Sequence, residues 1–414
     1  MSTKLLAEDM ALFQRLLPIR DLPPTTIADL AEKVAVFEYP EKRPLFKLGD
    51  QDGESYYLLS GEVELEGGGV YEVISAGSGA ALLPLAHDMP RAVTATTRGT
   101  VRFFHINNNL LEIAMAGDSS GGMEVEEISD EDETVESQLF LEIYREYMEG
   151  TLQLPTLPEL ALRVRRAVND PEKSLADVAK IIQSDQAITG RLIEVANSPI
   201  YRSEVSANSC MAAIRRLGLD NTRDLVTTFA MKQLFKADNK VLAKRMKELW
   251  SHSTHVAAIS AVLADMTPSL NADRALLAGL IHDIGVLAIY GYVAERPELL
   301  SNEQELDDAV EHLRGQVGAM VLRKWFFASD LVTVVLEAEN YDYDSEFGPD
   351  YADVVLVSQL HSYFGTPKAS GLPPLFERPA FGKLPLSQLG PEKSIEALKE
   401  ARKNIDEMRR LLGG

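Results

Sequence analysis

The spacing of apolar and polar residues changes partway along the chain. Up to about residue 115, apolar and polar positions mostly alternate in short runs broken by turn residues, the period of half-buried strands. Leu45–Asp50 and Tyr56–Leu65 read as strands, with a turn across Gly49–Gly53 and a tight turn at Gly61. Helical segments are predicted ahead of them, near residues 5–17 and 24–34. From about residue 139 onward the apolar positions recur every three to four residues, as in helices with one buried face. Ser174 precedes Leu175, Val178, Ile181 and Ile182, with Asp177 three residues on, which is a capping-box pattern. Asp185 precedes Ile188, Leu192 and Val195 in the same way, and Pro171 and Pro199 mark boundaries. Residues 239–267 and 271–290 predict two longer helices, and 391–412 a terminal one. Loops are predicted at 341–351 and 366–393, where Pro, Gly, Tyr and Asp accumulate.

Between the two textures, residues 117–138 carry Asp118, Glu124, Glu126, Glu127, Asp130, Glu131, Asp132, Glu133 and Glu136, and no Lys or Arg occurs between Arg102 and Arg145. Such a stretch repels itself and has little to bury, so a flexible acidic linker is expected. The predicted architecture is multidomain α+β: a sheet domain over 1–116, the linker over 117–138, and a helical domain over 139–414.

Composition narrows the options. A length of 414 residues accommodates two or three cores. The single cysteine, Cys210, excludes an intramolecular disulfide framework and fits a reducing cytoplasm. A net charge of −22 argues against general binding to nucleic acid or anionic membrane, both of which need clustered cations. No apolar run is expected to reach the roughly 20 residues needed to cross a bilayer.

The N-terminal chemistry centres on Gly61, Gly77 and the run Pro90-Arg91-Ala92-Val93-Thr94-Ala95. In their order and spacing these residues resemble the cyclic-nucleotide-binding β-roll over about residues 10–115. The resemblance implies that an arginine, here Arg91, holds the cyclic phosphate. It also implies a Gly-Glu pair for the close backbone approach and the ribose hydroxyl, and that pair falls on Ala81-Leu82. A leucine accepts no hydrogen bond, which leaves a buried ribose hydroxyl unpaired at a penalty of roughly 1–3 kcal/mol. A cyclic nucleotide is therefore not the expected ligand, and the module reads as a degenerate input domain.

The helical half carries Leu154-Pro155-Thr156-Leu157-Pro158, Ile182-Gln183-Ser184-Asp185, Leu192-Ile193-Glu194-Val195-Ala196-Asn197-Ser198, Ala212-Ala213-Ile214-Arg215-Arg216-Leu217-Gly218 and Gly279-Leu280-Ile281-His282-Asp283-Ile284-Gly285. In this order the segments resemble an HDOD domain (HD-related output domain) over about residues 145–365. The resemblance implies an all-α fold related to HD-type metal-dependent phosphohydrolases, in which histidines and aspartates from several helices hold one or two metals. His252 matches the first ligand and His282 with Asp283 the defining doublet, so these three form the residual metal site. The remaining positions depart from the pattern. Arg314 stands where the next histidine belongs, Glu339-Asn340 where a His-His pair belongs, and Gln359 where the final aspartate belongs. Val286 replaces a lysine that often follows the doublet. His312 and His361 each lie two residues out of phase, a rotation of about 200° on a helix.

Three retained ligands and at least four changed positions point to a non-catalytic bacterial signal-transduction protein, a cytoplasmic pseudoenzyme whose helical domain serves as a protein-interaction output. Its expected partners are signalling proteins. No cofactor is expected beyond one weakly bound divalent metal, and no direct DNA or membrane binding. The alternative is a metal-dependent phosphohydrolase or phosphodiesterase using a single-metal site at His252, His282 and Asp283.

Overall fold

The computed structural model describes residues 2–389 and 402–413, apart from 18, 23, 68–69, 86–89, 109, 112–138, 140–141, 144, 147–151, 171, 199–200, 202–205, 297–302, 326 and 346–347. The expected acidic linker, 117–138, lies outside the described residues, as does the first half of the expected terminal helix. The chain forms two compact units. One comprises Met1–Gln153 with Arg296–Gln316 and Phe326–Thr333; the other comprises Leu154–Glu295 with Val317–Trp325 and Val334–Gly414. This differs from the division expected at 116 and 139. The first unit extends to residue 153 and takes in two later segments, and an ion pair of 2.8 Å between Arg296 and Glu146 joins one of them to it.

Strands β1 (Ser2–Lys4), β2 (Ala35–Tyr39), β3 (Pro44–Phe46), β4 (Glu54–Gly67), β5 (Val70–Ser75) and β6 (Thr94–Asn107) form one antiparallel sheet in the order β1-β2-β6-β4-β5, with β3 also paired to β6. Alternation along β4 and β6 sends Leu58, Val63, Ala95, Val101 and Phe103 into the core. Helices α1 (Met10–Phe13) and α2 (Pro24–Lys33) belong to the same unit. Tyr57 Oη donates to the Leu17 carbonyl at 3.0 Å, and Arg102 holds Asp9 through two bonds of 2.9 and 2.8 Å. The expected helix over 5–17 is confined to α1: before it the Asp9 carboxylate accepts from the Leu6 amide in a turn, and after it the Leu17 amide donates to the Leu82 carbonyl.

The expected tight turn at Gly61 is absent. Gly61 lies inside β4, where the register to β6 shifts on either side of Ser60. Its φ of +87° is one that only glycine adopts readily, and a Cβ there would lie 2.5 Å from the Thr100 carbonyl. The residue makes a bulge in a continuous strand, which pairs with β5 as far as Gly67 opposite Val70.

The second unit is helical. Its helices are α3 (Glu159–Asn169), α4 (Leu175–Ile182), α5 (Gln186–Ala196), α6 (Cys210–Leu217), α7 (Leu219–Met231), α8 (Lys240–Asp265), α9 (Ala272–Ile281) and α10 (Ile284–Ala294). Helices α11 (Glu303–Lys324) and α12 (Ser329–Glu337) follow, each contributing residues to both units, and then α13 (Tyr351–Ser362), α14 (Pro379–Lys383) and α15 (Arg402–Leu412). The capping box at Ser174 and Asp177 is present as expected, and Asp185 caps α5 through the Ile188 amide. Asn239 and Asn271 cap α8 and α9 by accepting from backbone amides of the first turn.

The predicted helix over 271–290 is two helices, because the chain leaves helical geometry at Asp283 (ψ 22°). Together they span Ala272–Ala294, which by length and composition alone is apolar enough to cross a membrane. That corrects the expectation that no run reaches such a length. An 18-residue window of this stretch is 94% buried, as in a core helix.

Candidate metal centre

The His-Asp doublet sits at the junction of two buried helices, with His282 closing α9 and Asp283 opening α10. Helix α8 brings His252 alongside, and this approach depends on Gly279. A Cβ at 279 would lie 2.6 Å from the Ala257 Cα and 2.8 Å from its N, so only glycine lets the two backbones come this close. The Gly279 carbonyl also accepts the Nδ1 proton of His282 at 2.8 Å. That bond puts the proton of the neutral ring on Nδ1 and turns Nε2, the nitrogen through which the histidine would ligate, toward Asp283.

His252, His282 and Asp283 place one ligand atom each within 4.8 Å of one another, the one such group of three among the described residues. Asp283 Oδ2 lies 3.3 Å from His282 Nε2 and 3.8 Å from His252 Nε2, and the two rings meet edge to face at 5.2 Å. His282 and Asp283 are buried, whereas the His252 side chain keeps 21% of its exposure. Burial opposes charge on the His282 ring. Asp283, the Gly279 carbonyl and the charge of Glu339 outweigh that opposition, so its pKa is raised. His282 Nε2 is buried and makes no well-aligned hydrogen bond, its neighbour Asp283 Oδ2 lying 3.3 Å away. A buried imidazole nitrogen facing a carboxylate and a second imidazole is a donor set that suits one borderline divalent cation.

The positions that depart from the family pattern are placed as follows. Gln359, fully buried on α13, donates from Nε2 to Glu339 Oε1 at 2.6 Å, and Tyr341 donates to the other Glu339 oxygen at 2.9 Å. Glu339 thus lies within Coulombic reach of His282 but outside the group of three. Asn340 instead donates to Glu337 at 2.7 Å. Arg314 falls in the first unit, as does His312, whose Nδ1 bonds the Asp308 carbonyl at 2.8 Å. Val286 is buried.

His255 and His361 stand apart from the centre and act on each other electrostatically. Burial pushes His361 down to about 4, and His255 is likewise lowered by burial and by Arg409. An imidazole with a folded pKa below its unfolded value near 6.5 is neutral in both states above that pH. As pH falls toward 4 the unfolded chain takes the proton first, so stability is lost across that window. Replacing His361 with phenylalanine is expected to recover about 1–2 kcal/mol of the stability lost between pH 6.5 and 5, read from urea midpoints at each pH.

Sequence reasoning missed two residues on the exposed side of the centre. Tyr363 Oη lies 3.3 Å from His252 Nε2, with its ring stacked on the imidazole at 5.2 Å and 14°. Lys368 Nζ donates to the Tyr363 hydroxyl at 3.1 Å. The available signal was spacing, since Tyr363 follows Gln359 by four residues and so shares its face of the helix.

In the sheet unit, Arg91 is the largest fully buried side chain. Its guanidinium pairs with Asp52, donates to the Glu54 carbonyl and lies 4.3 Å from the Phe46 ring centroid. The expected phosphate arginine is therefore turned onto a carboxylate of its own domain. Ala81 and Leu82 are buried in a single 3-10 turn, Gly79–Leu82.

Residues 154–341 match the HDOD domain family. A candidate metal-dependent phosphohydrolase from Shewanella amazonensis SB2B is 30% identical, with 66% of this chain and 99% of that one covered at a TM-score of 0.56. An uncharacterised protein of Treponema pallidum (strain Nichols) is 21% identical over 210 residues, 47% of this chain. The match spans 39% of the length of that curated relative. A candidate cyclic nucleotide binding protein from Ruegeria pomeroyi DSS-3 aligns at 13% identity and a TM-score of 0.24, over 46% of this chain and 88% of its own.

Proposed function

From the premise that this chain belongs to the HDOD family, we propose that it is a signal-transduction protein whose helical domain binds rather than cleaves. Its centre holds a single divalent cation through His252, His282 and Asp283. The observation that carries this reading is the donor count. Three ligand atoms converge among the described residues, and at the position of the expected aspartate Gln359 offers an uncharged amide whose nitrogen is already bonded to Glu339. When bound, such a cation supplies Lewis acidity and a fixed positive charge. The protein's own contribution is orientation. Gly279 sets the His282 tautomer, and Asp283 faces both imidazoles, as the 3.3 and 3.8 Å separations indicate. A pair of metals needs a bridging carboxylate and further imidazoles; Glu339 already accepts from Gln359 and Tyr341, and Asn340 and Gln359 are not imidazoles.

In the sheet unit, Asp52 occupies the arginine that a cyclic phosphate would need, which supports an input module that takes no cyclic nucleotide. Signalling proteins are the proposed partners in a bacterial cytoplasm, consistent with the bacterial relatives and the acidic, single-cysteine composition. The second reading, a single-metal phosphohydrolase, is favoured by the 30% identity to the Shewanella protein. The two separate on turnover. The full chain loaded with Mn²⁺ is expected to hydrolyse bis(p-nitrophenyl) phosphate no faster than its His282→Ala variant, and a rate at least tenfold above that variant would establish the second reading instead.

A further inference from the structure

Away from the centre, charge is distributed against the trend of the whole chain. Residues 232–247 hold six cations against one acid, Asp238, a net charge of +5 in a chain whose total is −22. The remainder carries −27, yet the cations at the start of α8 are left almost unneutralised. Lys236, Lys240 and Lys247 are exposed and make no ion pair among the described residues. Lys244, also exposed, reaches Glu248 at 3.9 Å, a surface pair of little strength.

The helix gathers these charges on one side. Lys240, Lys244 and Lys247 recur at helical spacing and so share one face of α8 over about 10 Å. Leu242 and Met246, on the opposite side, are buried, which holds the lysines outward. Val241, 47% exposed, borders the same face one turn before Lys244. Helix stability does not account for the lysines. Cations are disfavoured toward the N-terminal end of a helix, and no acid stands in the first turn of α8 to offset them.

Resting on the reading of the helical domain as a binding module, we propose that Lys236, Lys240, Val241, Lys244 and Lys247 form its docking surface for an acidic protein segment. Charge complementarity sets the partner's chemistry, a short run of Asp or Glu beside an apolar side chain that meets Val241. Size separates that partner from a nucleic acid. A longer polyanion leaves the patch and meets the net −27 of the remainder, and no exposed side chain of the patch is aromatic, so an unpaired base finds nothing to stack on.

The test follows the fluorescence anisotropy of a labelled Glu-Glu-Leu-Glu-Glu-Leu-Glu-Glu peptide titrated with the full chain at physiological salt. Wild type is expected to bind it saturably, and to bind the analogue with glutamine at every glutamate roughly tenfold more weakly. The triple variant Lys240→Glu/Lys244→Glu/Lys247→Glu is expected to lose roughly tenfold in affinity and Val241→Ser about threefold. The triple variant is expected to melt no lower than wild type, because acids suit this end of the helix, so a lost fold does not imitate a lost surface. A control with the same change in net charge, Lys33→Glu/Lys42→Glu/Lys47→Glu in the sheet unit, is expected to bind within about twofold of wild type. Absence of binding by wild type, wild-type affinity in the triple variant, or an equal loss in the control would overturn the surface. So would a single-stranded oligothymidylate that binds at least as tightly as the peptide. The turnover comparison under the proposed function decides the binding reading itself, so either can fail without the other.

Discussion

Replacing Asp52 with alanine is expected to destabilise the sheet unit by about 3 kcal/mol, because it takes the paired carboxylate from a buried guanidinium. The Arg91 side chain has no exposure, and its pairing with Asp52 is what a charge in that position requires. The Glu54 carbonyl and the rings of Phe46 and Tyr56 remain as partial compensation, which places the loss at the lower end of the range for a broken buried pair. Arg91→Met in the same background removes the buried charge and is expected to restore most of the loss, since an unbranched apolar chain fits the same slot. Chemical denaturation of the two variants reads both effects. A loss below about 1 kcal/mol for Asp52→Ala would show that the guanidinium reaches water or another anion.

Gly279→Val is expected to cost about 3–4 kcal/mol and to abolish cation binding together with it. The contact is with backbone, since the new Cβ meets the Cα and N of Ala257, and neither can rotate away. One of the two helices must therefore shift. His252 lies five residues before Ala257 on α8 and His282 three residues after Gly279, so a shift of the order of an ångström separates the donors. The milder Gly279→Ala isolates the effect, because alanine regains about 1 kcal/mol of helix propensity and leaves a folded protein whose cation affinity can be measured. If Gly279→Ala binds the cation as wild type does, the close approach is not what positions the centre.

Much of this was legible in the sequence, for identifiable reasons. The Ser174 and Asp185 caps depend only on neighbours in the chain, and they are found where the pattern put them. His252, His282 and Asp283 converge because their helices are buried along most of their length, and apolar periodicity reveals such helices well. What escaped was what depends on partners distant in sequence. Nothing local to Arg91 announces that Asp52, 39 residues earlier, will neutralise it. Periodicity ran unbroken through residues 271–290 because residues on both sides of the break are apolar, so the departure at Asp283 left no signal. Gly61 reads as a turn residue from its type alone, and only the register of β4 against β6 shows that it makes a bulge. The pairing of Gln359 with Glu339 and the contact of Tyr363 with His252 join residues 20 and 111 apart in the chain, and the four-residue step from Gln359 to Tyr363 marks a shared face without saying what that face meets.

The most direct measurement is the number of divalent cations bound per chain when the full-length protein is reconstituted with Mn²⁺ and passed through a desalting column before elemental analysis. One cation per chain in the wild type and none in His282→Ala is the predicted outcome. Two per chain, or one that survives His282→Ala, would contradict a centre limited to His252, His282 and Asp283.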